Sequence, residues 1–181
     1  MELLGIKLDL VRAKELEHKY EGKLLESQEI LDRIVEKYHD KIAKHLKLQP
    51  LIIKTGFNLN SPTQLQYLLY EIWKLPKIDG TSTGKATLEG LLQENIKEEY
   101  KLFLQTLLEY KQNQKLLTAF IQKLPSEVKE DGCIHGRFNQ IGTATGRFSS
   151  SDPNLQQLPS RAGDIRGMFC AREGNIIIGS D

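Results

Sequence analysis

Very little in these 181 residues suggests metal binding, disulfides or a membrane. There are two cysteines, Cys133 and Cys170, far apart and without metal-ligand spacing, and four scattered histidines. A disulfide framework and a structural zinc are therefore set aside, and a reduced, cytoplasmic chain is expected. No apolar run approaches the ~20 residues that span a bilayer, and the N-terminus lacks a signal-peptide core. Charge of one sign is also missing: 25 Lys and Arg against 24 Asp and Glu leave a net +1. A strongly basic nucleic-acid footprint is thus absent from the total, so any such role depends on where the charges sit. With 39% hydrophobic residues the chain has enough for a modest core.

What is present begins with helical periodicity. Ala13, Leu16, Tyr20, Leu24, Leu31, Ile34, Tyr38, Ile42 and Leu46 recur at steps of three, four and seven, which predicts one long helix over about 10–46. At ~1.5 Å per residue it would reach roughly 50 Å. A second stripe, Tyr100, Phe103, Leu107, Tyr110, Leu117, Ile121 and Leu124, predicts a helix over about 96–124. Two long amphipathic helices separated by a tip over about 47–95 suggest an antiparallel hairpin. Within the tip, Asn60 or Ser61 followed by Pro62 reads as a helix start, KIDGTSTGKAT as a polar loop, and about 85–94 as a short helix.

Beyond Pro125 the pattern changes. CIHGRFNQ and TATGRFS read as short strands, NLQQLP as a tight irregular turn, and AGDIRGMF as a short helix and a strand. NIIIGSD reads as a strand buried on both faces, which needs sheet neighbours that the preceding residues hardly supply. The expected fold class is therefore α+β and mainly α, a helical hairpin with a small helical tip and then short strands of an incomplete sheet.

The stretch GTATGRFSSSDPNLQQLPSR, residues 142–161, fits neither period. Together with HGRFNQ before it, and IRGMF and NIIIGSD after it, it resembles the family A DNA polymerases, the DNA polymerase I type. Weaker likenesses extend over nearly the whole chain. MELLGIKLD is similar to the opening of that family's first long thumb helix, FNLNSPTQL and TSTGKATLEGL to its thumb tip, and LEYKQNQKLLTAF to its second long helix. The resemblance implies a thumb subdomain over 1–128 and the beginning of a palm, truncated, over 129–181.

The resemblance also implies roles. Arg147 matches an arginine that reaches the minor groove at the primer end, and Asn154 and Gln156 match amides close to template and duplex. Minor-groove acceptors sit in similar places in every correct base pair, so one donor there serves all sequences. Thr145, Ser149 and Ser150 suit phosphate oxygens or bracing of the loop, and Arg161 and Arg166 match positions that steady the template or line the site. Asp181 matches the first metal-binding, catalytic aspartate of a two-Mg²⁺ phosphoryl transfer, a scheme general to polymerases. The implied partners are primer-template DNA and deoxynucleotide triphosphates, and the implied state is a monomer acting in replication or repair, in a bacterial cell or a phage-infected host. A single carboxylate cannot hold two metals, so this chain alone is expected to be inactive.

Each reading has a plainer rival. The helix stripes are packing. Lys111 and Lys115 fall where the family faces the DNA backbone, yet helix lysines are commonly just solvated. Asn58, Asn60, Ser61, Ser82 and Thr83 serve as caps, phosphate contacts or both. His135 and the cysteines read as structural. Leu117 stands where the family has a second lysine, Gln157 replaces a common asparagine, and Ser160 replaces a valine. With the near-neutral charge these departures suggest a weaker grip on duplex. The main alternative is a non-catalytic DNA-binding or interaction module built on a helical hairpin.

Overall fold

The computed structural model describes residues 2–45, 57–143, 145–159 and 163–178. It is mainly α, with short antiparallel strands, and divides into two compact units. One unit comprises residues 1–22 and 113–181, the other residues 23–112.

In the second unit the core lies between the later turns of the helix Leu10–Glu36, the tip, and the helix Glu98–Leu116. Leu31, Phe103, Leu104 and Leu107 are fully buried, together with Leu65, Leu68, Leu69, Leu88 and Leu91 from the tip. Each such side chain contributes about 1.5–3 kcal/mol of burial. Gln28 and Tyr110 share one cleft while Lys37 pairs with Glu99, so the two helices run antiparallel within this unit. Trp73 stacks on Tyr100 with ring centroids 4.2 Å apart and meets Phe103 and Tyr38 edge-on at 5.0 and 5.6 Å.

The first helix does not run on to Leu46 as the stripe suggests. It ends at Glu36, and a new helix, His39–His45, follows a turn at Lys37 and Tyr38. The Tyr38 N–H bonds back three residues to the Val35 carbonyl at 2.8 Å, and its ring packs against Trp73. The aromatic contact favours the break; Leu46 itself lies outside the described residues.

The tip follows its sequence signals. The Ser61 hydroxyl accepts from the Gln64 N–H at 3.4 Å, Pro62 occupies the first turn, and Pro62–Gln66 continues into a π-helical segment, Tyr67–Ile72. The short helix is Lys85–Leu91. The second long helix likewise passes into a π-helical segment, Leu117–Ile121, then Lys123–Ser126.

The other unit contains two small sheets. In the first, β1 (Ile6–Leu8) lies between β2 (Cys133–Ile134) and β5 (Phe169–Cys170), antiparallel to both. MELLGIKLD is therefore a strand and its lead-in, not the opening of a helix. The helix begins one residue later, where Asp9 Oδ1 accepts from the Arg12 N–H at 2.9 Å. In the second sheet β3 (Arg137–Asn139) pairs with β4 (Ser149–Ser151).

The isoleucine strand is a second correction. Ile176, Ile177 and Ile178 are 80%, 61% and 80% exposed and belong to no strand. Both edges of β1 are already taken by β2 and β5, and an N–H from Asn175 to the Arg172 carbonyl closes a turn just before the triplet. A buried strand needs partners on its edges and cover on its faces, and the described residues provide neither here.

Candidate nucleic-acid interface

The stretch after β3 is a hairpin whose loop is built by its own polar side chains. β4 starts at Ser149, later than TATGRFS suggests, because Gly146 turns the chain at φ +73° just before it. The Thr143 hydroxyl donates to the Arg147 carbonyl at 2.7 Å and lies 3.4 Å from the Thr145 hydroxyl. Gly142 closes the base of this turn: a Cβ there would sit 2.2 Å from Ser149 Oγ. Arg147 is exposed, and its side chain has no ion-pair partner among the described residues.

Past β4 the chain reverses at Asp152, in the left-handed region at φ +54°, whose carboxylate lies 3.8 Å from Arg137. A 3₁₀ turn, Leu155–Gln157, follows, capped by Asn154 Oδ1 accepting from the Gln156 N–H at 3.1 Å. Gln156 Nε2 donates to the Phe148 carbonyl at 3.0 Å. That bond draws the 3₁₀ turn up to the residue after Arg147; Arg147, Asn154 and Gln156 are all exposed, and so is the Phe148 ring between them. Ser149 is half-buried and Ser150 buried, so Ser150 braces the loop and does not face solvent. Thr145 is exposed on the same turn as Arg147.

Other expected residues lie elsewhere. Asn58 and Asn60 line a polar cleft of about 240 Å³ with Gln28 and Tyr110. Asn58 Oδ1 accepts from the Asn60 N–H at 2.8 Å, and the Asn58 N–H donates to Gln64 Oε1 at 2.7 Å. These groups and Ser61 therefore act as caps. The Ser82 hydroxyl accepts from the Gly84 N–H at 3.2 Å and its carbonyl from the Tyr70 hydroxyl at 2.6 Å, with half-buried Thr83 beside it. Lys111 is half-buried, and that burial lowers its pKa; Lys115, one turn on, is exposed. Arg166 is exposed at the end of the helix Gly163–Arg166, whose Asp164 pairs with Lys19 at 2.7 Å.

Arg161 and Asp181 lie outside the described residues. Among those described, no three His, Cys, Asp or Glu side chains gather as a metal ion would require. The described residues therefore make no cage for a divalent ion by themselves. No described helix is long and apolar enough to cross a membrane.

One cluster was not foreseen from sequence. Arg172 donates to the Leu4 carbonyl, to Asp131 Oδ2 at 2.9 Å and towards Cys133 Sγ at 3.2 Å. His135 sets Nε2 at 3.1 Å from Asp131 Oδ2 and Nδ1 at 2.7 Å from the Glu2 carbonyl. The Glu2 carboxylate in turn accepts from the Phe138 N–H at 2.5 Å. These contacts fasten the N-terminal residues to β2 and β3. The only sequence signal is the apolar–basic–apolar order Ile6, Lys7, Leu8, too short to read as a strand.

The sequence pattern that defines DNA polymerase family A matches residues 24–181. DNA polymerase I of Caldicellulosiruptor bescii is 39% identical over 145 residues, which cover 76% of this chain and 17% of that protein. The thermostable DNA polymerase I of Thermus aquaticus is 35% identical over 188 residues, covering all of this chain and 20% of that one. Among solved structures, the POL domain of Pol1 from M. smegmatis, in complex with DNA primer-template and dNTP, superposes with a TM-score of 0.75 at 30% identity. That match covers 94% of this chain and 27% of the other. The chain thus spans about a fifth of the curated relatives it matches. A profile match over most of the length, with relatives and a shared fold at these identities, leaves one assignment: the chain belongs to DNA polymerase family A.

Proposed function

We infer that this chain is the thumb, residues 1–128, and the beginning of the palm, residues 129–181, of a template-directed DNA polymerase, and that it grips primer-template DNA through the minor groove. The observation that carries the reading is the bond from Gln156 to the Phe148 carbonyl, which draws the turn bearing exposed Asn154 and Gln156 up to the residue after exposed Arg147. A guanidinium without an ion-pair partner among the described residues and an amide donor suit acceptors that every base pair presents alike. Lys111, Lys115, Thr145, Ser149, Arg161 and Arg166 would add contacts to phosphate and sugar, which fix register without reading sequence. Asn58, Asn60, Ser61, Ser82 and Thr83 would do the same at the tip, alongside their capping. The mycobacterial relative, solved with DNA primer-template and dNTP, supports this class of partner.

Asp181 is assigned as the first metal-binding carboxylate of the parent enzyme, where Mg²⁺ would supply charge stabilisation for nucleotidyl transfer. The chain on its own is expected to bind DNA as a monomer without incorporating nucleotides. Hydrogen exchange with and without primer-template tests the reading. Amides of residues 142–157 should gain protection in the presence of DNA, regardless of base sequence. Unchanged exchange there at saturating DNA, or protection confined to one base sequence, would overturn it.

A further inference from the structure

The hairpin contains a buried hydroxyl that no contact with DNA can use. Ser150 is 5% exposed, and its backbone is fixed in β4 opposite Phe138. Its Oγ donates to the Pro153 carbonyl and accepts from the Leu155 N–H, each at 3.3 Å. The two peptide groups so held are those on either side of Asn154. A serine hydroxyl has one proton and spare lone pairs, so it can do both at once.

Asn154 is also fixed in its sense. The Gln156 N–H can only donate, so the Asn154 amide must turn its oxygen to it, as observed at 3.1 Å. Nδ2 is then the atom left to face outward, and it can only donate. Gln156 is set oppositely, because the Phe148 carbonyl can only accept and so takes Nε2 at 3.0 Å. Asn154 thus presents a donor of fixed polarity on an exposed residue, and its backbone is clamped from below by one hydroxyl.

We propose that Ser150 is a positioning residue: its buried hydroxyl holds Asn154 so that Nδ2 donates to a minor-groove acceptor, purine N3 or pyrimidine O2. This rests on the minor-groove reading above and adds to it the group that enforces the donor's direction. An alanine at 150 keeps the Asn154 amide but frees its peptide units to rotate, and the donor then loses its aim.

The test uses the 181-residue chain and primer-templates carrying 3-deazaadenine, which lacks the N3 acceptor, at one duplex position after another near the primer end. Binding is read by fluorescence anisotropy. Wild type should lose affinity roughly three- to tenfold, the worth of one hydrogen bond, at a position where Arg147→Ala shows the same loss, which separates the Asn154 contact from that of Arg147. Asn154→Ala should bind unmodified DNA that much more weakly and show no further loss at that position. Ser150→Ala should behave like Asn154→Ala, although its Asn154 is intact, and Ser150→Cys, which keeps the volume and weakens both bonds, should follow it if alanine unfolds the hairpin. A full wild-type penalty in a folded Ser150 variant overturns the positioning role alone. A full penalty in Asn154→Ala, or none at any position in wild type, overturns the minor-groove reading beneath it.

Discussion

Gln156 Nε2 donates a hydrogen bond of 3.0 Å to the Phe148 carbonyl eight residues earlier, joining the 3₁₀ turn to the turn that displays Arg147. Replacing Gln156 by Glu sets a carboxylate against that carbonyl, acceptor facing acceptor. The bond is lost and the turn springs away from its neighbour. Gln156→Glu should weaken primer-template binding by roughly tenfold, more than Gln156→Ala, while leaving the thermal midpoint nearly unchanged because the residue is exposed. Binding equal to wild type in both variants would show that the tie does not shape the surface.

The N-terminal fastening should respond to pH. His135 places both ring nitrogens against acceptors, first the Glu2 carbonyl and then Asp131, so its charged form is favoured and its pKa raised; desolvation and Arg172 act against this. For Asp131, desolvation raises the pKa, but hydrogen bonds from His135 and the Cys133 N–H outweigh it, and the net direction is down. A raised histidine pKa gives stability that is full below the unfolded value of about 6.5 and is lost as pH rises through the folded value. The lowered aspartate pKa gives stability present above its unfolded value of about 3.9 and lost as pH falls through the folded one. The difference in midpoint between wild type and His135→Ala should therefore be largest in mildly acidic solution and shrink as the pH is raised past His135's folded pKa. A gap that is constant or grows with pH would contradict the charged clasp.

Gly5 sits under the same cluster at φ +64°, and a Cβ there would lie 2.8 Å from Cys133 Cβ and 2.9 Å from the His135 ring. Left-handed backbone costs an ordinary residue about 1–2 kcal/mol, before the overlap is relieved. Gly5→Ala should destabilise the chain by about 2 kcal/mol or more in denaturant unfolding. A change within a few tenths of wild type would mean that β1 is not packed on β2 as described.

Much of this was legible in the sequence, for particular physical reasons. Every residue of the second stripe, from Tyr100 to Leu124, is buried, and Ser61 with Pro62 starts the tip helix, because periodicity and capping are local. The break at Tyr38 was not legible: the stripe continues through it, and the ring contact that accompanies it comes from Trp73, thirty-five residues away in sequence. The strand at Ile6–Leu8 was missed for the same reason: its partners are Cys133–Ile134 and Phe169–Cys170, and three residues carry too little pattern to announce them. The isoleucine triplet was read from its composition alone, which specifies a strand only where neighbours exist. In the candidate interface, the motif singled out Arg147, Asn154 and Gln156, whose contact with DNA remains the proposal above, whereas the bracing by Thr143 and Ser150 became clear only from what their hydroxyls touch.

Lys111 offers a separate check on the phosphate side. Lys111 is half-buried, and the desolvation lowers its pKa. If it pairs with one phosphate, Lys111→Ala should reduce the slope of log affinity against log salt by about 0.9, and by the same amount for any DNA sequence. A slope equal to that of wild type would leave Lys111 as a packing residue.

The most direct measurement is primer-template binding by fluorescence anisotropy across a salt series, for wild type beside the Arg147→Ala/Asn154→Ala double variant. The account predicts binding that weakens with salt, is indifferent to base sequence, and falls by at least tenfold in the double variant while the fold is retained. Binding of equal strength by the two proteins, or no binding by folded wild type, would contradict it.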